Sequence, residues 1–167
     1  AVNFSFTPGL NQGEKVRQYI ERCHKYGVTM AETAGRSPKE FMPDFKAAGM
    51  KVVHKCVAVK HALSAQGIGV DAITMVGTFV LTNAASRALT VPVLTAGGVA
   101  DGRGLAAALA LGAEGVTVGT RFVASQECVI HQNFKDAILG AKETDTLVCQ
   151  RNIGNQARYL KNSASLK

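Results

Sequence analysis

The sequence predicts an α/β fold of parallel strands, because short β-branched runs alternate with Ala/Leu/Lys-rich stretches and the runs recur at a near-constant spacing. The runs are VNFSF ending at Phe6, VTMAET at Thr33, KVVHKC at Cys56, AITMVG at Gly77, VPVLTAGG at Gly98 and GVTVGT at Thr120. Their ends lie 21 to 27 residues apart, which gives about six βα units. A third observation, glycine-rich turns after the last two runs, bears on how the units are arranged.

The intervening stretches carry helix signals. Ser37-Pro38-Lys39-Glu40 has the form of a capping box with proline at the first helical position, followed by Phe41, Phe45 and Ala48 on one face and closed by Gly49. A helix over about 38 to 48 is predicted. Asp101 precedes Gly102-Arg103-Gly104 and an Ala/Leu run closed by Gly112, which predicts a second helix with an aspartate cap.

This alternation fits both a closed barrel and an open doubly wound sheet. Glycine turns after the last two strands favour the barrel, since a dinucleotide fold places its glycine turn after the first strand. The expected architecture is a (β/α) barrel of TIM-barrel type. A complete one takes about 250 residues, so six units in a chain of 167 read as an incomplete barrel lacking its first two strands, in a single domain over 1–167.

Composition narrows the function classes. An apolar fraction of 47% with 19% charge suits a globular domain, and no run approaches the ~20 apolar residues of a membrane span. The expected setting is soluble and cytoplasmic, with no membrane partner. The net charge of +7 is spread along the chain, aromatics are 6% and Trp is absent, so no nucleic-acid partner is expected. Cys23, Cys56, Cys128 and Cys149 are scattered without a C-x-x-C pair, and no metal role is assigned to them.

The chemistry concentrates in residues 95–121. The turn Thr95-Ala96-Gly97-Gly98 follows a strand and leads into the helix after Asp101; glycines there let backbone amides approach phosphate oxygens near a helix N-terminus. Gly119-Thr120 ends the next strand and opens RFVAS, which is suited to the small extra helix of a barrel phosphate site. The two turns are expected to converge on one anion, although tight βα turns alone would also explain the glycines.

The stretch VPVLTAGGVADGRGLAAALALGAEGVTVGTRFVAS resembles the flavin-phosphate region of the nitronate monooxygenases, also called 2-nitropropane dioxygenases. AETAGR at 31–36 and KVVHKCVAVKHALSAQGIGVDAI at 51–73 resemble that family's middle strands, and HQNFKDAI with the tail ARYLKN resembles its C-terminal helices, expected over about 129–164. AGG…DGRGL and GTRF separately have cousins in flavin-dependent enoyl reductases and IMP dehydrogenase; AETAGR with VVHKC narrows the choice.

The resemblance implies FMN as cofactor and an oxidoreductase converting an alkyl nitronate and O₂ into a carbonyl compound and nitrite. It assigns the FMN phosphate to Ala96, Gly97, Gly98, Gly119 and Thr120, and the pyrimidine edge of the isoalloxazine to Lys55. A cation there would stabilise the reduced ring. His54, opposite to Lys55 by strand alternation, and His61, inside the next helix, are read as structural. Cys56 ends its strand, where it either approaches the ring or packs as a small apolar residue. Glu32, Thr33 and Arg36 sit where barrels place substrate groups, with a Glu32–Arg36 salt bridge the competing reading.

The departure from the family lies after the fourth run. Family members carry there a loop with a catalytic histidine and an aspartate, whereas Ala72-Ile73-Thr74-Met75 runs straight into Val76-Gly77-Thr78-Phe79. Roughly a dozen residues are absent, and neither the histidine nor the aspartate has a counterpart, so no catalytic residue is assigned. Impaired nitronate oxidation is expected. A non-catalytic FMN or phosphate binder and an inactive fragment are the alternatives, and a homo-oligomer is one way to cover the open sheet edges.

Overall fold

The structure, a computed structural model, describes residues 1–6, 13–149, 157–163 and 165. By packing, the chain falls into two compact units, Ala1–Thr117 and Val118–Lys167, where the sequence predicts one domain.

The first unit is built on six parallel strands, β1 (Val2–Phe6), β2 (Met30–Gly35), β3 (Lys51–Cys56), β4 (Ala72–Val76), β5 (Val93–Ala96) and β6 (Gly115–Thr117), hydrogen-bonded in that order. Between them run α1 (Gly13–Lys25), α2 (Met42–Ala47), α3 (Val59–Gly67), α4 (Thr78–Ala88) and α5 (Gly102–Ala110). Strand order decides the architecture that spacing left open. When chain order equals strand order and crossovers are right-handed, every crossover helix lies on one face, whereas a doubly wound sheet reverses at a switch point. The six strands form an incomplete (β/α) barrel, since closure takes eight.

Side chains alternate between the two faces of each strand. The helix-covered face holds the core: Phe4 packs edge-on against Phe45 of α2 at 5.1 Å, Phe6 stacks on Phe41 at 5.3 Å, and Val52, Ile73 and Met75 are fully buried. Further along, the hydroxyls of Thr82 on α4 and Thr95 on β5 bond each other in the buried layer. The opposite face carries Asn3, Ser5, Glu32, Lys55 and Thr74, and it positions the candidate site.

The helix predicted over 38–48 is broken in two. Residues Lys39–Phe41 form a 3₁₀ turn and α2 begins only at Met42. The capping box does not form: Ser37 Oγ accepts from the Lys39 amide at 3.4 Å, and Glu40 pairs with Arg17 of α1 at 3.3 Å. Pro43 has no N–H to donate, and its ring, in a continuous helix, would meet the carbonyl of Lys39. The chain therefore restarts the helix with Pro43 in its first turn. The C-terminal end follows the prediction, with Gly49 at φ 68° and the Met50 amide donating to Phe45 O at 2.9 Å. The aspartate cap also forms, Asp101 accepting from the Gly104 amide at 3.0 Å.

The second unit contains α6 (Thr120–Val123), α7 (Gln132–Gly140) and an antiparallel pair, β7 (Thr146–Cys149) with β8 (Ala157–Leu160). The expected C-terminal helices over 129–164 are thus corrected: α7 is helical, but ARYL is a strand. Residues 150–156 and 164 of that stretch lie outside the described residues. Two four-residue runs gain a ladder by pairing, Thr146 with Leu160 and Cys149 with Ala157, whereas a lone four-residue helix would complete almost no internal bonds. Among the described residues no helix is long and apolar enough to cross a membrane.

Candidate functional site

Lys55 lies on the helix-free face of β3, next to last in the strand. Its ammonium sits 2.8 Å from Glu32 Oε2 on β2, and both side chains are about three-quarters buried, at 28% and 24% exposure. The same Glu32 oxygen accepts from Asn3 Nδ2 at 2.9 Å, and Asn3 Oδ1 accepts from Ser5 Oγ at 2.9 Å. A polar chain therefore crosses β1, β2 and β3 on one face. The Glu32–Arg36 pairing expected as an alternative gives way to Glu32–Lys55.

Thr74 stands opposite Lys55 in the β3–β4 register, on the same face. It is fully buried, and its hydroxyl has no hydrogen-bond partner among the described residues. A buried hydroxyl without a partner costs about 1–3 kcal/mol.

At the C-terminal end of β5, Ala96 is buried while Gly97 and Gly98 are exposed, with φ of 97° and 69°. Side-chain-bearing residues avoid that region, so the turn needs glycine for its backbone shape. The neighbouring connection is unusually short, since Gly77 alone separates β4 from α4. Reversing direction within one residue forces Thr78 to φ 61°, a strained value for a β-branched side chain. Thr78 lies against the glycine turn: a Cβ built on Gly97 would be 3.7 Å from Thr78 Oγ1, and one on Gly98 3.6 Å from its Cγ2.

In the second unit, Gly119 caps the short α6 and Thr120 is its first residue; both are exposed, and a Cβ at Gly119 would meet nothing within 4 Å. That leaves open space over the backbone of this turn.

Of the remaining candidates, Thr33, His54 and Cys56 sit on the helix-covered face, while Arg36 is exposed just past β2 and His61 is exposed on α3. His54 is 5% exposed, and burial pulls its pKa below the usual histidine value, partly opposed by a bond to the Thr33 backbone. Cys56 is buried and its thiol is pushed up to about 11 by desolvation, which leaves it unionised and unreactive near neutral pH. Asn3, Thr74 and Thr78 were not singled out from the sequence. Asn3 and Ser5 alternate with Phe4 and Phe6, a period-2 signal for a polar row, and the one-residue connection flags Thr78.

The sequence model of the nitronate monooxygenases matches residues 3–166. The chain belongs to the nitronate monooxygenase family. A probable nitronate monooxygenase of Staphylococcus aureus (strain Newman) is 33% identical over 151 residues, covering 78% of this chain and 42% of that protein. That of strain JH9 is 33% identical over 184 residues, covering 92% of this chain and 52% of that protein. The chain spans about half the length of the curated relatives it matches. Because 184 aligned positions exceed a chain of 167, this family member lacks residues that the relative carries inside the matched span.

Among solved structures, FabK from Thermotoga maritima superposes with a TM-score of 0.89 at 32% identity, over 98% of this chain and 55% of that one. Nitroalkane oxidase from Streptomyces ansochromogenes superposes with a TM-score of 0.79 over 96% of this chain and 61% of that one; at 18% identity it speaks for the fold alone.

Proposed function

We propose that this chain carries the cofactor-binding part of an FMN-dependent oxidoreductase of the nitronate monooxygenase type. The observation that carries the reading is a cation and a glycine turn on one sheet: Lys55 on the helix-free face near the C-terminal end of β3, and Gly97-Gly98 directly after β5. The positive-φ turn fits a phosphate approached by backbone amides. Ala96, Gly97 and Gly98 would hold the phosphate. Lys55 would face the ring. Bound FMN would supply the electron-accepting chemistry by which a nitronate and O₂ yield a carbonyl compound and nitrite.

The single-residue connection at Gly77 leaves no place between β4 and α4 for a loop bearing a catalytic base. A nitronate is already deprotonated, so the missing base costs it little, whereas a neutral nitroalkane loses about 10²–10⁴ in rate. Oxygen uptake with propyl-2-nitronate should therefore be weak but measurable, and far slower still with 2-nitropropane. Equal robust rates on both would overturn the reading.

The same connection favours a second reading, a barrel that keeps FMN without turnover. Flavin absorbance of the purified protein with no oxygen uptake on either substrate would select it.

A further inference from the structure

Register places Ala34, not Glu32, opposite Lys55, because Thr33 pairs with His54. Glu32 lies two residues nearer the N-terminal end of β2 on the same face. The 2.8 Å ion pair therefore draws the ammonium of Lys55 down the face, away from the C-terminal edge that carries Gly97 and Gly98. Glu32 is itself held: Asn3, its register partner on β1, donates to the very oxygen that contacts Lys55. Three strands meet at one oxygen, with the two charged side chains about three-quarters buried.

We propose that Glu32 is a positioning residue that tethers Lys55 and sets the electrostatic potential felt by the bound flavin, through the juxtaposition of Asn3, Glu32 and Lys55 across β1, β2 and β3. This rests on the reading of Lys55 as a flavin contact. An ammonium beside a carboxylate acts on a third group several ångströms away as a dipole, which falls off faster than a lone charge. The oxidised ring is neutral and senses the difference little. The two-electron reduced ring carries negative charge and senses it strongly, so Glu32 disfavours reduction and keeps the potential low.

The test is the reduction potential of the FMN-loaded protein, read against a reference dye during reductive titration, together with the Kd for oxidised FMN from fluorescence quenching. Glu32→Gln should leave the Kd for oxidised FMN within about twofold and tighten reduced FMN about tenfold, which for a two-electron couple is a shift of about 30 mV to more positive potential. Glu32→Asp keeps the charge and should stay near the original value. In a Lys55→Met background the carboxylate has lost its counter-ion and acts on the ring as a lone charge, so Glu32→Gln should shift the potential positive there too.

An unchanged potential in FMN-loaded Glu32→Gln overturns the inference while leaving the flavin reading intact. Failure of the unaltered chain to bind FMN, or a Lys55→Met variant with unaltered potential, overturns both. Should Glu32→Gln not hold the fold, Asn3→Ala probes the same device by unanchoring the carboxylate, and the potential should move in the same positive direction; no movement overturns the proposal.

Discussion

Thr33 Oγ1 lies 2.8 Å from Nδ1 of His54, a pair of register partners on β2 and β3 sealed under the helical layer. Burial keeps the ring neutral by lowering its pKa from 6.5, more than a bond to the Thr33 backbone raises it. The unfolded chain therefore takes up a proton more readily than the folded one. Stability contributed by neutral His54 is fully present above pH 6.5 and is lost as the pH falls through that value toward the lower folded pKa, where the loss levels off. Urea midpoints should drop between pH 7.5 and 5.5. In His54→Gln that drop should be much reduced, and an unchanged pH slope in the variant would assign the titration elsewhere.

Strain at Thr78 gives a second prediction. Its φ of 61° costs about 1–3 kcal/mol, and glycine removes the strain at a backbone-entropy cost of about 0.5–1 kcal/mol. Thr78→Gly should therefore raise stability by roughly 0–2.5 kcal/mol, seen as a higher denaturation midpoint. Thr78→Val keeps the β-branch and gains nothing from the turn. A midpoint that falls in Thr78→Gly would show that the side chain, by its contact with the glycine turn, holds more than the strain costs.

For Gly97 the two ways a side chain can do harm separate cleanly. A Cβ there would stand 3.7 Å from Thr78 Oγ1, an ordinary contact, so crowding is not the obstacle; the φ of 97° is. Gly97→Ala should cost about 1–2 kcal/mol of stability and weaken FMN binding at least about tenfold as the turn distorts. Adding Thr78→Ala should restore neither. Rescue by the double variant would mean that space, and not backbone shape, is what the glycine provides.

Much of this architecture is legible in the chain because local signals and long-range packing agree. KVVHKC is a strand by its β-branched run and is one in fact, and Asp101 and Gly112 bracket their helix because cap and stop are purely local interactions. Legibility fails where a distant partner decides. ARYL has no strong local preference and becomes a strand only by pairing with TLVC. Glu32 has two cations within reach in sequence terms, Arg36 and Lys55, and only the β2–β3 register settles which one it meets. Thr74 reads as one more β-branched strand residue, and its missing hydrogen bond is visible only once its surroundings are built.

The broken helix at 39–47 isolates one such competition between local signals, a well-formed capping box against a proline six residues after the cap. If Pro43 is what breaks the helix, Pro43→Ala supplies an amide that can donate to the Lys39 carbonyl and removes the ring that blocks it. Residues 39–41 should then shift from 3₁₀ to α-helical carbon chemical shifts, with Ser37 moving to bond the Glu40 amide as the box requires. The rival cause is tertiary: Phe41 stacks on Phe6 at 5.3 Å, and Arg17 of α1 holds both Glu40 and Asp44. Those contacts survive the substitution. If the 3₁₀ turn persists in Pro43→Ala, the packing of Phe41 and the Arg17 bridge fix the turn and proline merely tolerates it; if the α-helix extends, the backbone chemistry of one residue outweighs a stacked aromatic pair.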